Sequence, residues 1–112
     1  MKIISEPISK KEILKKYNHF FKNMIKAVVD LKKEVIALDG ELHADLEELL
    51  IENNSKQEDL WGINLYPKKP LKERIEYTAL INIRPSQNNS GMEVESAKVR
   101  KKIEKIVNKL IN

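Results

Sequence analysis

The sequence contains no cysteine and only three glycines, and few of its residues are aromatic. Without cysteine there is no disulfide, no thiolate nucleophile and no cysteine-ligated zinc. The glycines are too dispersed for a glycine-rich phosphate loop. No apolar run approaches the roughly 20 residues that a membrane helix needs, and the first residues, MKIISEPISKK, lack the apolar core of a signal peptide. These absences favour a cytoplasmic protein without membrane association.

The length and composition are typical of one globular domain spanning residues 1–112. Charged residues make up 34% of the chain and hydrophobic residues 41%, which are ordinary proportions for a soluble globular protein. A chain of this length can bury a single hydrophobic core.

The charges are distributed unevenly along the chain. Residues 34–59 carry nine acids and one lysine, whereas residues 96–112 carry six basic residues and one acid. The basic run is typical of the exposed face of a carboxy-terminal helix. No aromatic residue alternates with its lysines, so the stacking platform of a single-strand binder is missing and nucleic acid is not indicated as a partner.

The amino-terminal half predicts a strand, a helix and a hairpin. Residues 2–5 form a short apolar start, and Ser9 to Glu12 have the form of a capping box. The helix that follows carries an apolar stripe from Ile13 to Phe21, and His19 lies off this stripe, which predicts a surface histidine. Residues 24–31 alternate as a strand, and residues 34–38 return as its antiparallel partner.

The segment 39–53 has two interpretations. In the first, residues 41–44 are extended and Asp45 caps a helix over 46–53, so that Glu41 and His43 share one strand face. In the second, the helix begins at Glu41, and His43 and Glu47 become neighbours one turn apart. In both interpretations carboxylates cluster near one imidazole.

The carboxy-terminal half predicts two strands and a helix. Residues 60–66 alternate, and residues 74–85 (RIEYTALINIRP) give the longest strand candidate, with Ile75, Tyr77, Ala79, Ile81 and Ile83 on its core face. Trp61 is expected in the core. The loop 86–95 has no period and is expected to be mobile. The last helix carries an apolar stripe from Val99 to Leu110.

The whole pattern therefore predicts an α+β fold with the order β-α-β-β-α-β-β-α. A four- or five-stranded, mainly antiparallel sheet covered by helices packs such elements naturally.

The acids around His43 are candidates for chemistry. Glu41, His43, Asp45 and Asp59 offer ligand types that suit a divalent metal, although no cofactor is evident and their spacing matches no established ligand signature. His43 with Glu41 could instead form an acid/base pair, in which the carboxylate fixes the tautomer of the ring. Solvated surface charge explains the same residues without any site.

Three polar residues on the expected neighbouring strands are candidates for ligand binding. Asn64, Asn82 and Arg84 occur where each strand runs toward a proline. Because the guanidinium fork suits phosphate or carboxylate, these residues predict an anion site at this strand end. An open, water-facing sheet surface explains them equally.

Three sequence blocks followed by a closing amphipathic helix resemble a family of small, uncharacterised prokaryotic proteins. The blocks are ELHADLEELL, SKQEDLWGINLYP and INIRPSQNN. The resemblance spans nearly the whole chain and points to a domain of unknown function, so it implies no substrate, cofactor or catalytic residue.

Two functions from different classes remain open, and the sequence favours the first because the second requires several residues to converge on one site. The first is a binding or assembly module that contacts a protein partner, with a homodimer as one form. The second is a small metal-assisted hydrolase or nuclease, in which the acids and His43 surround the ion and Arg84 binds phosphate.

Overall fold

The computed structural model describes residues 1–112 and confirms the predicted α+β order of strands and helices. The elements are β1 (Lys2–Ile4), α1 (Lys10–Lys16), β2 (Ile25–Asp30), β3 (Val35–Leu38), α2 (His43–Glu52), β4 (Leu60–Leu65), β5 (Ile75–Glu76) and α3 (Ala97–Leu110). None of the helices is both long and apolar enough to cross a membrane.

The five strands form one antiparallel sheet in the order β1-β3-β2-β4-β5. The larger core lies on one face, where buried residues of α1 and α3 pack against alternate strand residues such as Val29 and Ile63. The smaller core lies on the other face, where Leu46 and Leu50 of α2 pack against Val28. The strands alternate between these two cores, as the period of two requires.

Helix α3 forms as its pattern predicts. Ser96 caps the helix by accepting a hydrogen bond from the N–H of Val99, and the stripe Ile103, Ile106, Val107 and Leu110 is buried. Trp61 is in the core, as expected.

Helix α1 begins as predicted, but its predicted extension to Phe21 is wrong. Ser9 accepts from the N–H of Glu12 at 3.1 Å, whereas the helix ends at Lys16. Beyond the helix the chain is held by a tertiary contact, because the backbone N–H of His19 donates to the carboxylate of Asp39. Asp39 itself takes a left-handed backbone conformation, with φ of 66°.

The predicted strand 74–85 is also wrong beyond Glu76. Only Ile75 and Glu76 pair with β4, after which the chain crosses the edge of the sheet. Tyr77 therefore packs with the larger core and Ile81 with the smaller one. The alternating apolar residues of this segment are divided between two opposite cores. Their spacing in the sequence is nevertheless the same as in a continuous strand.

Gly62 of β4 allows this crossing. A Cβ atom on Gly62 would lie 2.5 Å from Cβ of Ala79 and 3.1 Å from Cγ1 of Ile81. The N–H of Gly62 donates to Oδ1 of Asn82 at 2.8 Å, and Nδ2 of Asn82 donates to the carbonyl oxygen of Gly62 at 2.9 Å. The amide of one side chain thus replaces a neighbouring strand at this point of the ladder.

The loop predicted to be mobile is held by internal hydrogen bonds. Nδ2 of Asn89 donates to the carbonyl oxygens of Asn82, Gly91 and Glu93, and Oδ1 of Asn89 accepts from the N–H of Glu95. One buried asparagine therefore organises the turn without any periodic pattern in the sequence.

We expect Gly62→Ala to lower the free energy of unfolding by about 2 kcal/mol or more, because the added methyl overlaps the crossing segment. Gly91→Ala is the matched control, since its Cβ would meet only Oε2 of Glu95, at 3.8 Å. We expect a change of about 0.5 kcal/mol or less there. Urea unfolding of both variants measures the difference, and equal midpoints would contradict this role of Gly62.

Candidate functional site

A cavity of about 370 Å³ lies over the face of the sheet that carries α2. Its volume falls at the small end of the range of ligand sites. The start of α2, strands β2 and β4, and the crossing segment surround it. Its lining residues are Lys26, Leu42, His43, Ala44, Asn64, Thr78, Ala79, Leu80, Ile81 and Met92.

The start of α2 places His43 in this cavity. The helix begins at His43 and its N-cap is Leu42, so the prediction of Asp45 as the cap is wrong. The prediction that residues 41–44 are extended fails at His43, and the alternative start at Glu41 lies two residues too early. His43 and Glu47 are nevertheless one turn apart, as that alternative required.

A backbone carbonyl holds the imidazole of His43. Nε2 lies 2.8 Å from the carbonyl oxygen of Ile63. Since a carbonyl can only accept, Nε2 carries a proton and the neutral ring leaves Nδ1 as an acceptor. The sequence predicted that the carboxylate of Glu41 would orient this ring, but Glu41 is exposed.

The pKa of His43 lies below its usual value. Burial is the largest cause, because it disfavours the charged ring, and the positive charge of Lys26 acts in the same direction. The carbonyl of Ile63 opposes both effects, since it accepts from the protonated ring. His43 is therefore neutral at pH 7.

Asn64 also lines the cavity and has one unused polar atom. Its Nδ2 donates to Glu76 at 2.7 Å and to the carbonyl oxygen of Thr78 at 3.3 Å. Its Oδ1 is buried and has no hydrogen-bond partner. Buried polar atoms are rarely left in this state. The side chain of Asn64 lies close enough to His43 to act on its ring, where it raises the pKa against the effect of burial.

Asn82 and Arg84, the other two predicted ligand-binding residues, are occupied by contacts within the chain. Asn82 is fully buried and uses both of its amide atoms, on Gly62 and on Met92. All three nitrogens of the Arg84 guanidinium have partners, and NH2 lies 3.1 Å from the carboxylate of Glu47. These contacts fix the crossing segment against α2 and leave neither side chain free for an anion.

The four candidate metal ligands do not form a metal centre. No group of three or more histidine or acidic side chains is close enough to hold an ion. Glu41 precedes α2 and is exposed, whereas Asp59 ends the one-turn helix before β4. His43 alone among the four lines the cavity.

Sequence reasoning missed the apolar mouth of the cavity and its lysine. Leu42, Leu80 and Met92 remain 54%, 70% and 42% exposed, and Lys26 lies on the neighbouring strand β2. Leu80 lies within the predicted strand 74–85 but outside the residues expected on its core face, and the actual strand ends at Glu76. The useful signal was Leu42, an apolar residue where a polar N-cap is preferred.

A carboxylate–imidazole pair does exist, but at the other histidine. Nδ1 of His19 lies 2.5 Å from Oδ2 of Asp39. The prediction of a surface position is confirmed, since the side chain of His19 is 66% exposed. The partner was not predicted, because the two residues are 20 positions apart.

We expect stability to fall as the pH is lowered from about 6.5, the ordinary pKa of histidine. As the pH falls, His43 is protonated at a higher pH in the unfolded chain than in the folded chain. Between the ordinary histidine pKa and the lowered pKa of folded His43, the unfolded chain therefore binds more protons. The stability that neutral His43 contributes is fully present above this pH range and is lost as the pH falls through the range. Thermal or urea unfolding between about pH 5 and pH 7.5 measures the slope.

The variant His43→Gln separates this effect from other titrations, because glutamine keeps a donor for Ile63 but does not titrate. We expect this variant to lose the His43 part of the slope. His19→Gln is the control outside the cavity. A slope that survived in His43→Gln and disappeared in His19→Gln would show that the wrong histidine was assigned.

One protein family matches the sequence over nearly its whole length. A family model described as "Protein of unknown function (DUF5674)" matches residues 2–110. No curated protein and no solved structure was found to match the chain. Because the match covers nearly all of the sequence and the whole sheet with its three helices, the protein belongs to the DUF5674 family.

Proposed function

We propose that this protein is a binding module and that its ligand site is the cavity beside His43. The single observation that supports this function is the combination within one cavity of an apolar mouth and polar residues, among them Lys26, His43 and Asn64. Ligand sites characteristically pair apolar walls with a few placed polar groups. We propose a cytoplasmic location for this activity.

The polar part of the cavity suits recognition more than catalysis. Nε2 of His43 is held by the Ile63 carbonyl, and the ten lining residues include no serine, carboxylate or second histidine to act with the ring. Arg84 is paired with Glu47. The hydrolase alternative requires an acid cluster and a free arginine in one cleft, and these residues are placed elsewhere.

The sequence blocks behind the family resemblance supply much of this cavity. The first block, ELHADLEELL, provides Leu42, His43 and Ala44, and the second, SKQEDLWGINLYP, provides Asn64. The third block, INIRPSQNN, begins at Ile81, which lines the cavity, and continues with Asn82, which fixes the crossing segment. We propose that these blocks belong together because they build one site.

The mouth predicts that a small apolar molecule enters the cavity. We expect 1-hexanol to shift the methyl NMR signals of Leu80 and Met92 selectively and saturably. Leu80→Ser removes apolar surface at the mouth, and we expect it to weaken this binding by about threefold or more.

Leu71→Ser is the matched control, because Leu71 is similarly exposed, at 62%, and does not line the cavity. It should leave the affinity unchanged. If 1-hexanol caused no selective shifts, or if both serine variants weakened binding equally, the cavity would not be the ligand site.

The same apolar mouth supports a second candidate function, an assembly contact with another copy of the chain. Leu42, Leu80 and Met92 together present the kind of exposed apolar patch that marks interaction sites. For this function we expect a concentration-dependent dimer in sedimentation velocity, lost in Leu80→Ser and retained in Leu71→Ser. A monomer at high concentration would rule out the homodimer.

A further inference from the structure

The lining of the cavity carries one formal charge, and that charge is positive. Lys26 is the only permanently charged residue among the ten that line it, and no carboxylate is among them. Lys26 lies on β2, near the carboxy-terminal end of β4, where its partner across the ladder is Asn64. A cavity with this lining favours ligands of negative charge.

Lys26 has no acidic partner within the chain. It takes part in none of the ion pairs, and its ammonium group lies over the ring of Phe21, 5.0 Å from the centroid. Its charge nevertheless reaches the cavity, since it contributes to the lowered pKa of His43. Half-buried cations usually find a carboxylate, because desolvation makes an unpaired charge costly.

Three carboxylates on elements around the cavity have other partners within the chain. Glu76 accepts hydrogen bonds from Asn64 and from the hydroxyl of Tyr66. Asp39 is taken by His19, and Glu47 by Arg84. None of these three carboxylates forms an ion pair with Lys26, so an anion that enters the cavity can do so.

We propose that the ligand of this cavity is a small amphipathic carboxylic acid, a proposal that rests on the binding function above. Its carboxylate pairs with Lys26, and its aliphatic or aromatic body lies against Leu42, Leu80, Ile81 and Met92. This arrangement places the charged end on the sheet side, near the polar residues. The apolar end then covers the side chains that water now contacts at the mouth.

Two hydrogen-bond acceptors near the cavity favour a different head group, an uncharged amide. Oδ1 of Asn64 and Nδ1 of the neutral His43 ring both accept hydrogen bonds, which would favour an uncharged amide head group over a carboxylate. Oδ1 of Asn64 is inaccessible behind its neighbours, so it contributes less to an entering ligand than the charge of Lys26 does. A charge also acts over a longer range than one acceptor atom.

Three probes of equal chain length decide between these head groups: hexanoate, hexanamide and hexylamine. Their affinities are measured at pH 7.5 and low salt by the methyl shifts of Leu80 and Met92. We expect hexanoate to bind about fivefold or more tightly than hexanamide, with hexylamine weakest, as for an ion pair of about 1 kcal/mol.

Lys26→Met keeps the length of the side chain and removes its charge, so we expect it to abolish the preference for hexanoate. Lys22→Met is the control, since Lys22 is exposed and does not line the cavity. Circular dichroism and urea unfolding verify that both variants are folded.

The outcomes separate this inference from the function on which it rests. Equal or tighter binding of hexanamide would overturn the carboxylate assignment and leave the cavity as a ligand site. A preference for hexanoate that persisted in Lys26→Met would overturn the role of Lys26. If none of the three probes shifted the mouth residues, both the inference and the proposed function would fail.

Discussion

The paired hydrogen bonds between Asn82 and Gly62 are the interaction on which the rest of the cavity depends. They allow the chain to leave β5 after two residues and still satisfy the outward backbone groups of β4. Unpaired backbone groups at this buried point would each cost on the order of 1–3 kcal/mol. Because the pairing holds the segment 79–82 over the sheet, Ala79, Leu80 and Ile81 form a wall of the cavity.

The sequence correctly predicted the helices and strands that have a local apolar pattern. The prediction failed for the segment after β5, where the side chain of Asn82 replaces backbone pairing. The stripe of α3 reflects burial on a single face of the helix, and in β2, β3 and β4 successive residues face the larger and the smaller core in turn. The structure confirms these elements. Residues 77–83 also alternate, but Tyr77 and Ile81 serve opposite cores. A period of two cannot distinguish these cases, because it records the spacing of apolar residues and not the face on which each is buried.

The sequence predicted individual residues of the candidate site, but only the fold shows that they line the same cavity. His43 and Asn64 were each chosen from the sequence, the first for acid/base or metal chemistry and the second for an anion. The contact of α2 with the neighbouring strands brings them into one cavity with Lys26. Sequence alone could not show that Asn82 and Arg84 are occupied within the chain, because an asparagine or arginine on a strand is compatible with either role. The neutral state of His43 depends on burial that only the folded chain provides.

The amide of Asn82 has a further consequence for how this sheet meets other molecules. Exposed strand edges invite pairing with foreign strands, and proteins avoid this by shortening or covering them. Beyond the two residues of β5, the amide side chain of Asn82 covers the outward N–H and C=O of Gly62. Because this partner is a side chain, no further strand can be added at this point of the edge. The opposite edge, β1, is only three residues long. Both edges of the sheet are therefore short or covered, which limits edge-to-edge aggregation although apolar side chains remain exposed at the mouth of the cavity.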